Sequence, residues 1–257
     1  MPEPLDPRTR ELADSLAAVR QRLDAAVAAA GRRTGDVDLL VVTKFFPAAD
    51  VERLISLGAR QFGESREPEA SRKIDELRAC EANRDQRAAS EIGSGAVAFD
   101  MIGSVQSKKA GSVAGWARAV HSVDREKIVT ALGRAAATAL AEARRREPLE
   151  ILIQISLDGD PTRGGATEDE WPAIAELVKE SEALRLRGVM AIAPIDGGAD
   201  RWMAEAARVH QRFLADHPEA TTLSTGMSGD LEEAVQHGST CVRVGTAILG
   251  KRPLLSQ

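Results

Sequence analysis

LSTGMSGDLEEAVQHGSTCVRVGTAILGKR, residues 223–252, decides how the rest of the chain is read. It holds two short apolar runs, each ending in a small-residue turn and each followed by a helix-like segment. The first turn carries Ser224, Gly226, Met227 and Ser228, and the second carries Gly245 and Thr246. Arg243 stands in the middle of the second apolar run. A strand that ends in such a turn and enters a helix is one βα unit, so the question is whether the unit repeats upstream.

It does repeat. Apolar runs fall at 37–44, 59–64, 96–103, 118–124, 149–158, 185–194, 220–228 and 239–247. Amphipathic stretches lie between them, for example 47–58, 124–146, 167–183 and 199–217. The runs are nearly continuous in apolar residues, as strands covered on both faces are. Eight βα units predict an α/β protein with a single (β/α)8 TIM barrel. An open doubly wound sheet usually carries GxGxxG or GxxxxGK[ST], and neither is present. Ahead of the first run, Leu12, Leu16, Val19, Leu23, Ala26 and Val27 form one stripe of an extra N-terminal helix that Gly31 can cap. The expected organisation is one domain, residues 1–257. The polar, Gly/Ala/Ser-rich stretch 80–96 reads as a mobile surface loop.

Composition narrows the function. The charge of −5 argues against a general nucleic-acid binder. No run approaches a membrane span and the first residues lack a signal-peptide apolar core, so a cytoplasmic protein with no membrane contact is expected. Two cysteines make no disulfide framework and match no zinc spacing, and Cys241 reads as a small buried hydrophobe. Tyrosine is absent, which excludes any tyrosine acid or base.

In a barrel of this kind the chemistry sits at the C-terminal ends of the strands. Lys44 ends the first run. A desolvated lysine loses basicity and becomes a nucleophile able to form an imine; a strand that stops one residue earlier would leave it simply solvated. The turns after strands seven and eight are where barrels often bind phosphate. Ser228, Gly226, Gly245 and Thr246 offer hydroxyl and backbone N–H donors there, although Ser228 could equally be a helix N-cap. Strand alternation puts Cys241, Arg243 and Gly245 on one face; if that face is inward, a permanent cation sits in the barrel mouth. An imine-forming lysine, a phosphate cradle and an arginine between them describe a pyridoxal phosphate pocket. Elsewhere, 107–109 reads as a solvated helix start, and Met190 and the three tryptophans as packing. His121 and Ser122 suit ring packing or plain core equally, Arg163 caps a strand or rims the pocket, and His210, His217 and His237 take no role.

With LLVVTKFFPAADV, FGES, IGSVQSKKA, HSVDREKI, ILIQISLDGDPTRGG, LRGVMAIAP and the opening stretch together, the chain resembles the pyridoxal phosphate homeostasis protein family over nearly its whole length. That family is related to the N-terminal barrel of alanine racemase. The resemblance implies that Lys44 holds pyridoxal 5′-phosphate as an internal aldimine. It implies that Ser224, Gly226, Met227 and Ser228 form the first phosphate loop and Gly245 and Thr246 the second, with Arg243 facing the pyridine nitrogen. The chain departs from the common pattern at Ser65, where members read Asn. It departs again at Phe99–Gly103, where they often read Trp-His-Phe-Ile-Gly, and at Phe46, where many carry a second lysine. The implied function is intracellular storage, shielding and delivery of the cofactor by a monomer that meets apo pyridoxal-phosphate enzymes transiently. The alternative is a racemase-like amino-acid enzyme, and a cofactor-free Schiff-base aldolase is a weaker rival. Racemisation by two bases needs a group on each face of the substrate, and alanine racemase takes its second from a tyrosine of a further domain. The barrel uses this chain up to about residue 250, so the carrier is the expected function.

Overall fold

The computed structural model describes residues 6–79, 86–160, 163–194 and 198–252. The N-terminal helix α1 spans Pro7–Ala29. The barrel follows as β1 (Asp38–Val42), α2 (Ala48–Ser56), β2 (Gln61–Glu64), α3 (Glu69–Ala79), α4 (Gln86–Gly93) and β3 (Ala98–Met101). It continues through α5 (Ala110–Trp116), β4 (Ala119–Val123), α6 (Glu126–Ala141), β5 (Leu149–Gln154), α7 (Trp171–Lys179) and β6 (Leu184–Met190). The last units are α8 (Ala199–Asp216), β7 (Thr222–Ser224), α9 (Leu231–Gln236), β8 (Cys241–Val244) and α10 (Thr246–Leu249). All eight strands run parallel in sequence order, and β8 closes on β1 with Asp38 opposite Cys241 and Val41 opposite Val244. Seven of the eight predicted apolar runs contain their strand and β6 begins one residue before its run; the strands are shorter than the runs, because several turn residues are also apolar or small.

The stretch expected to be a loop is in part helical. Gln86–Gly93 forms α4, while 80–85 lies outside the described residues. Ala89 and Ile92, three apart, are buried where α4 packs on α2 and α3, and that one-turn apolar pair was hidden among polar neighbours.

Helix α1 forms where the sequence places it. Asp6 accepts the N–H groups of Arg8 and Thr9, Pro7 occupies the first turn, and Gly31 takes φ +67° just past the end. Its apolar stripe packs against α9, α10 and α2, and three arginines tie it to the last elements of the barrel. Arg22 donates to the Ser228 carbonyl at 3.3 Å and to Glu232 at 2.9 Å. Arg32 donates to the carbonyls of Val235 and Ser239 at 3.2 and 2.7 Å. Arg8 pairs with Asp50 at 2.8 Å and donates to the Leu249 carbonyl at 3.1 Å.

Strand periodicity divides the buried residues into two layers. Val41, Phe62, Phe99, Val120, Ile151, Val189, Leu223 and Val242 face the helices, in two large apolar clusters. Leu40, Asp100, Ala119, His121, Leu152, Met190, Ser224, Cys241 and Arg243 point into the barrel. The lower interior is apolar, with Ala119, Leu152 and Met190 in contact. Across the interior, from β3 and β4 to β7 and β8 on the opposite wall, runs a polar band, which is unusual for a barrel core. A register shift where β5 meets β6 centres on Gly188, at φ +151°; a Cβ there would lie 1.9 Å from the Thr222 carbonyl oxygen, so only glycine lets β7 approach.

Candidate functional site

The C-terminal ends of β1, β2, β7 and β8 meet at one side of the barrel mouth. β1 stops at Val42, and Lys44 is in the turn after it. Phe45 follows with φ 72°, a left-handed conformation that a non-glycine residue rarely holds without constraint. Its exposed ring lies between two guanidiniums, Arg252 at 3.9 Å and Arg66 at 4.9 Å from the centroid. Lys44 keeps part of its surface open at the mouth, yet burial is the largest cause pushing its amine below the ordinary lysine range. The charges of Arg243 and Arg66 act in the same direction, and Glu64 opposes them.

Glu64 is not the partner of Lys44. Its buried carboxylate takes Lys73 of α3 at 2.6 Å and the Thr43 hydroxyl at 2.7 Å, while Lys73 also donates to the Thr43 carbonyl at 2.9 Å. Lys73 thus neutralises Glu64 and leaves Lys44 with cations for company. Sequence reasoning missed Lys73, which reads as one more charge on a polar helix; only the fold brings it under β1 and β2.

The turn after β7 is built around Gly226, at φ +89°. A Cβ there would stand 2.5 Å from the Ala234 Cβ and 3.3 Å from Val242, so the backbone lies directly on α9 and β8. The helix N-cap is Asp230 rather than Ser228, and its carboxylate accepts the Met227 N–H at 2.5 Å to close the turn. Ser228 is released from capping and its hydroxyl accepts the Ala247 N–H at 3.4 Å, tying this turn to the next. Gly245 packs against Val42, where a Cβ would come within 3.1 Å of the carbonyl oxygen, and Thr246 opens α10 with its side chain exposed. Among the described residues the N–H groups of Ser228 and Thr246 have no acceptor. The Met227 side chain faces solvent, so only its backbone belongs to the turn.

Arg243 points inward, as the alternation required. Its guanidinium is buried and donates to the Ser224 carbonyl at 2.6 Å, the Ser224 hydroxyl at 2.8 Å and the Ala191 carbonyl at 2.9 Å. Burial lowers its basicity, and among the described residues it contacts no carboxylate. The structure places the Ser224 hydroxyl inside the barrel beside Arg243, apart from the turn that Gly226 and Ser228 form. Cys241, next along the same face, is a buried free thiol pushed up to about 12, by burial first and then by the Asp100 charge.

The remaining candidates fall outside this cluster. Ser122 donates to the Gly103 carbonyl at 2.6 Å, Arg163 pairs with Asp158, and His237 pairs with Asp200 at 2.8 Å. Met190 is core. His121 joins Asp100 and Ser224 in the barrel interior. Asp100 was legible as a lone acid between Phe99 and Met101 at an inward position, a signal the sequence reading left unused. The arrangement can hold a phosphate against two turns, present a nucleophilic amine above it, and offer a fixed cation from below. Among the described residues no group of side chains could hold a metal ion, and no helix is long and apolar enough to cross a membrane.

The model of the alanine racemase N-terminal domain matches residues 15–253. A pyridoxal phosphate homeostasis protein of Mycobacterium tuberculosis is 52% identical over 253 residues, covering 97% of this chain and 96% of that one. The Escherichia coli protein of the same name is 35% identical over 247 residues, covering 94% and 97%. PipY of Synechococcus elongatus, solved with PLP bound, superimposes with a TM-score of 0.74 at 27% identity, covering 93% of this chain and all of that one. Alanine racemase of Corynebacterium glutamicum superimposes with a TM-score of 0.61 at 16% identity over 95% of this chain and 63% of that one, a likeness of fold.

Proposed function

The chain belongs to the pyridoxal phosphate homeostasis branch of the alanine racemase N-terminal domain family, and on that premise we propose that it holds pyridoxal 5′-phosphate at the barrel mouth and hands it on without turning amino acids over. One observation carries this reading. A lysine whose amine is pushed toward the neutral form shares a rim with two turns bearing unpaired N–H groups and with a buried arginine that has no carboxylate partner. The residues fit the cofactor. The phosphate takes the N–H and hydroxyl groups of Ser228 and Thr246, and Gly226 and Gly245 keep the backbone close. Arg243 would donate to the pyridine nitrogen, and Lys44 would hold the cofactor through its ε-amine. When bound, the cofactor supplies an aldehyde that reacts with amines and a ring that can withdraw electrons.

Arg243 stays protonated, so it disfavours a proton on the ring nitrogen and weakens electron withdrawal. With no tyrosine in the chain, a second base on the far face is not supplied as in the racemase. The arginine alone does not forbid racemisation, but the missing second base suits retention and release better than proton removal at an amino-acid Cα. The proposal extends to the whole chain as one domain, acting as a monomer inside the cell and meeting apo enzymes transiently.

The test is direct. Borohydride treatment of the loaded protein fixes the cofactor on the peptide containing Lys44, Lys44→Ala abolishes that tag, and pyridoxal without phosphate binds far more weakly. A tag on another lysine, or equal affinity for pyridoxal and its phosphate, overturns the site. With L-alanine in deuterated water, Cα exchange stays at the level of free cofactor while an added apo enzyme regains activity. Multiple-turnover racemisation lost in Lys44→Ala would move the function to the racemase-like alternative.

A further inference from the structure

A file of polar side chains crosses the barrel interior below the mouth. Arg118, at the foot of β4, donates to Asp100 through Nε at 2.9 Å and through a terminal nitrogen at 2.5 Å. The Asp100 carboxylate lies 3.3 Å from His121 Nε2, and His121 Nδ1 lies 3.1 Å from the Ser224 hydroxyl. Ser224 in turn receives Arg243 at 2.8 Å. Asp100 and Ser224 are fully buried, and His121 and Arg243 are 3% and 5% exposed. Four strands contribute one member each to the buried part of this file.

The chemistry of the donors gives the file a direction. Burial alone would raise the Asp100 carboxyl, but the His121 hydrogen bond and the Arg118 charge outweigh it and hold Asp100 below its ordinary range. An ionised carboxylate only accepts, so His121 Nε2 carries the imidazole proton. If the ring carries that one proton, Nδ1 has a lone pair, and the one proton of Ser224 goes to it. The Ser224 oxygen is left with lone pairs facing Arg243, which only donates. Every hydrogen bond from Arg243 to Asp100 therefore points the same way. A Ser224 hydroxyl free to rotate could instead turn its proton toward the Cys241 thiol or the guanidinium, and the second choice sets donor against donor.

We propose that His121 and Asp100 are positioning residues for Arg243. By fixing the Ser224 hydroxyl as an acceptor, they lock the guanidinium at the floor of the mouth. Ser224 then serves the pyridine side of the site through Arg243 and has no proton left for a phosphate. The effect on the cofactor rests on the proposed function, whereas the hydrogen-bond direction belongs to the chain itself.

Two measurements test the two parts separately. In the unloaded protein, labelled with 15N, long-range imidazole spectra show His121 as the Nε2–H tautomer, and the Arg243 guanidinium protons exchange slowly. His121→Leu makes that exchange fast, and His121→Gln, which keeps an acceptor for Ser224 and a donor for Asp100, restores slow exchange. With pyridoxal 5′-phosphate, His121→Leu weakens retention about tenfold, the scale of one lost buried hydrogen bond, and shifts the absorption band, with most of both recovered in His121→Gln. If His121→Leu does not fold, Ser224→Ala breaks the same link and gives the same loss of Arg243 protection. An Nδ1–H or doubly protonated His121, or unchanged Arg243 exchange in the disrupted variants, overturns the inference. A protein that takes up no cofactor, with the tautomer and exchange results as expected, sinks the proposed function and leaves the positioning intact.

Discussion

Lys44 and its neighbours show how a mouth tunes one amine. The ammonium form is penalised by burial and by two arginines, and the acid that would favour it is committed to Lys73. Removing one cation should reverse part of this. Arg66→Gln takes away a charge that disfavours the ammonium, so the Lys44 pKa rises and a smaller fraction is free amine at a given pH. The midpoint of pH-dependent cofactor capture, followed by absorbance, therefore moves to higher pH; a midpoint that stays or falls contradicts the assignment. Lys44 itself was legible, because a lysine closing an apolar run stands out. The constraint on Phe45 was not, since it depends on Arg66 from β2's turn and Arg252 from beyond α10, far apart in sequence.

At the scale of elements, the turn after β7 and helix α8 each carry a consequence. Gly226→Ala would put a side chain at a positive φ and against Ala234, which costs about 1–3 kcal/mol of strain. Because that strain falls on the turn, cofactor affinity should drop by about tenfold or more while the far-ultraviolet dichroism of the barrel is kept; unchanged affinity would mean the turn does not hold phosphate. On α8 and at its C-terminal cap, His210 and His217 are buried, and His217 packs on Phe213 and Trp171 with ring centroids 4.7 and 6.3 Å away. Burial lowers both imidazoles below the ordinary histidine value. As pH falls through about 6.5 the unfolded chain takes up protons that the folded chain refuses, so stability is full above that pH and declines as pH drops toward the folded values. Calorimetry should show Tm falling on acidification from about pH 7 to about pH 5, less steeply in a His210→Gln, His217→Gln double variant. The eight strands and α1 were readable because their apolar periods are long and bounded by turn residues. Helix α4 was missed because one buried turn among Arg, Ser, Glu and Gly residues gives too short a period to separate from a loop, and the Asp100–His121 contact because it joins strands whose registry no local pattern states.

For the whole molecule, the sign of the net charge misleads. The chain carries −5, yet Lys44, Arg66, Arg243 and Arg252 gather on the β1–β8 side of the mouth. A phosphorylated ligand approaching there meets local attraction, which salt screens. Stopped-flow capture of pyridoxal 5′-phosphate should slow as ionic strength rises from about 0.01 M to about 1 M, over which the screening length shrinks from about 30 Å to about 3 Å. A rate that rises with salt would mean the overall negative charge dominates. The grip of α1 on the far end of the barrel has a consequence for biosynthesis. Arg22 and the Ser228 carbonyl it holds are 206 residues apart. At about 5–20 residues per second, a ribosome completes that interval in about 10–40 s. Throughout it, the apolar stripe from Leu12 to Val27 has emerged without the α9 and α10 surfaces it will cover, a ready target for a holdase. The nascent chain has Lys44 long before it has either phosphate turn, so a half-made protein can present the amine but not the cradle. On the proposed function, loading waits until translation has delivered the final two βα units and the first helix has docked on them.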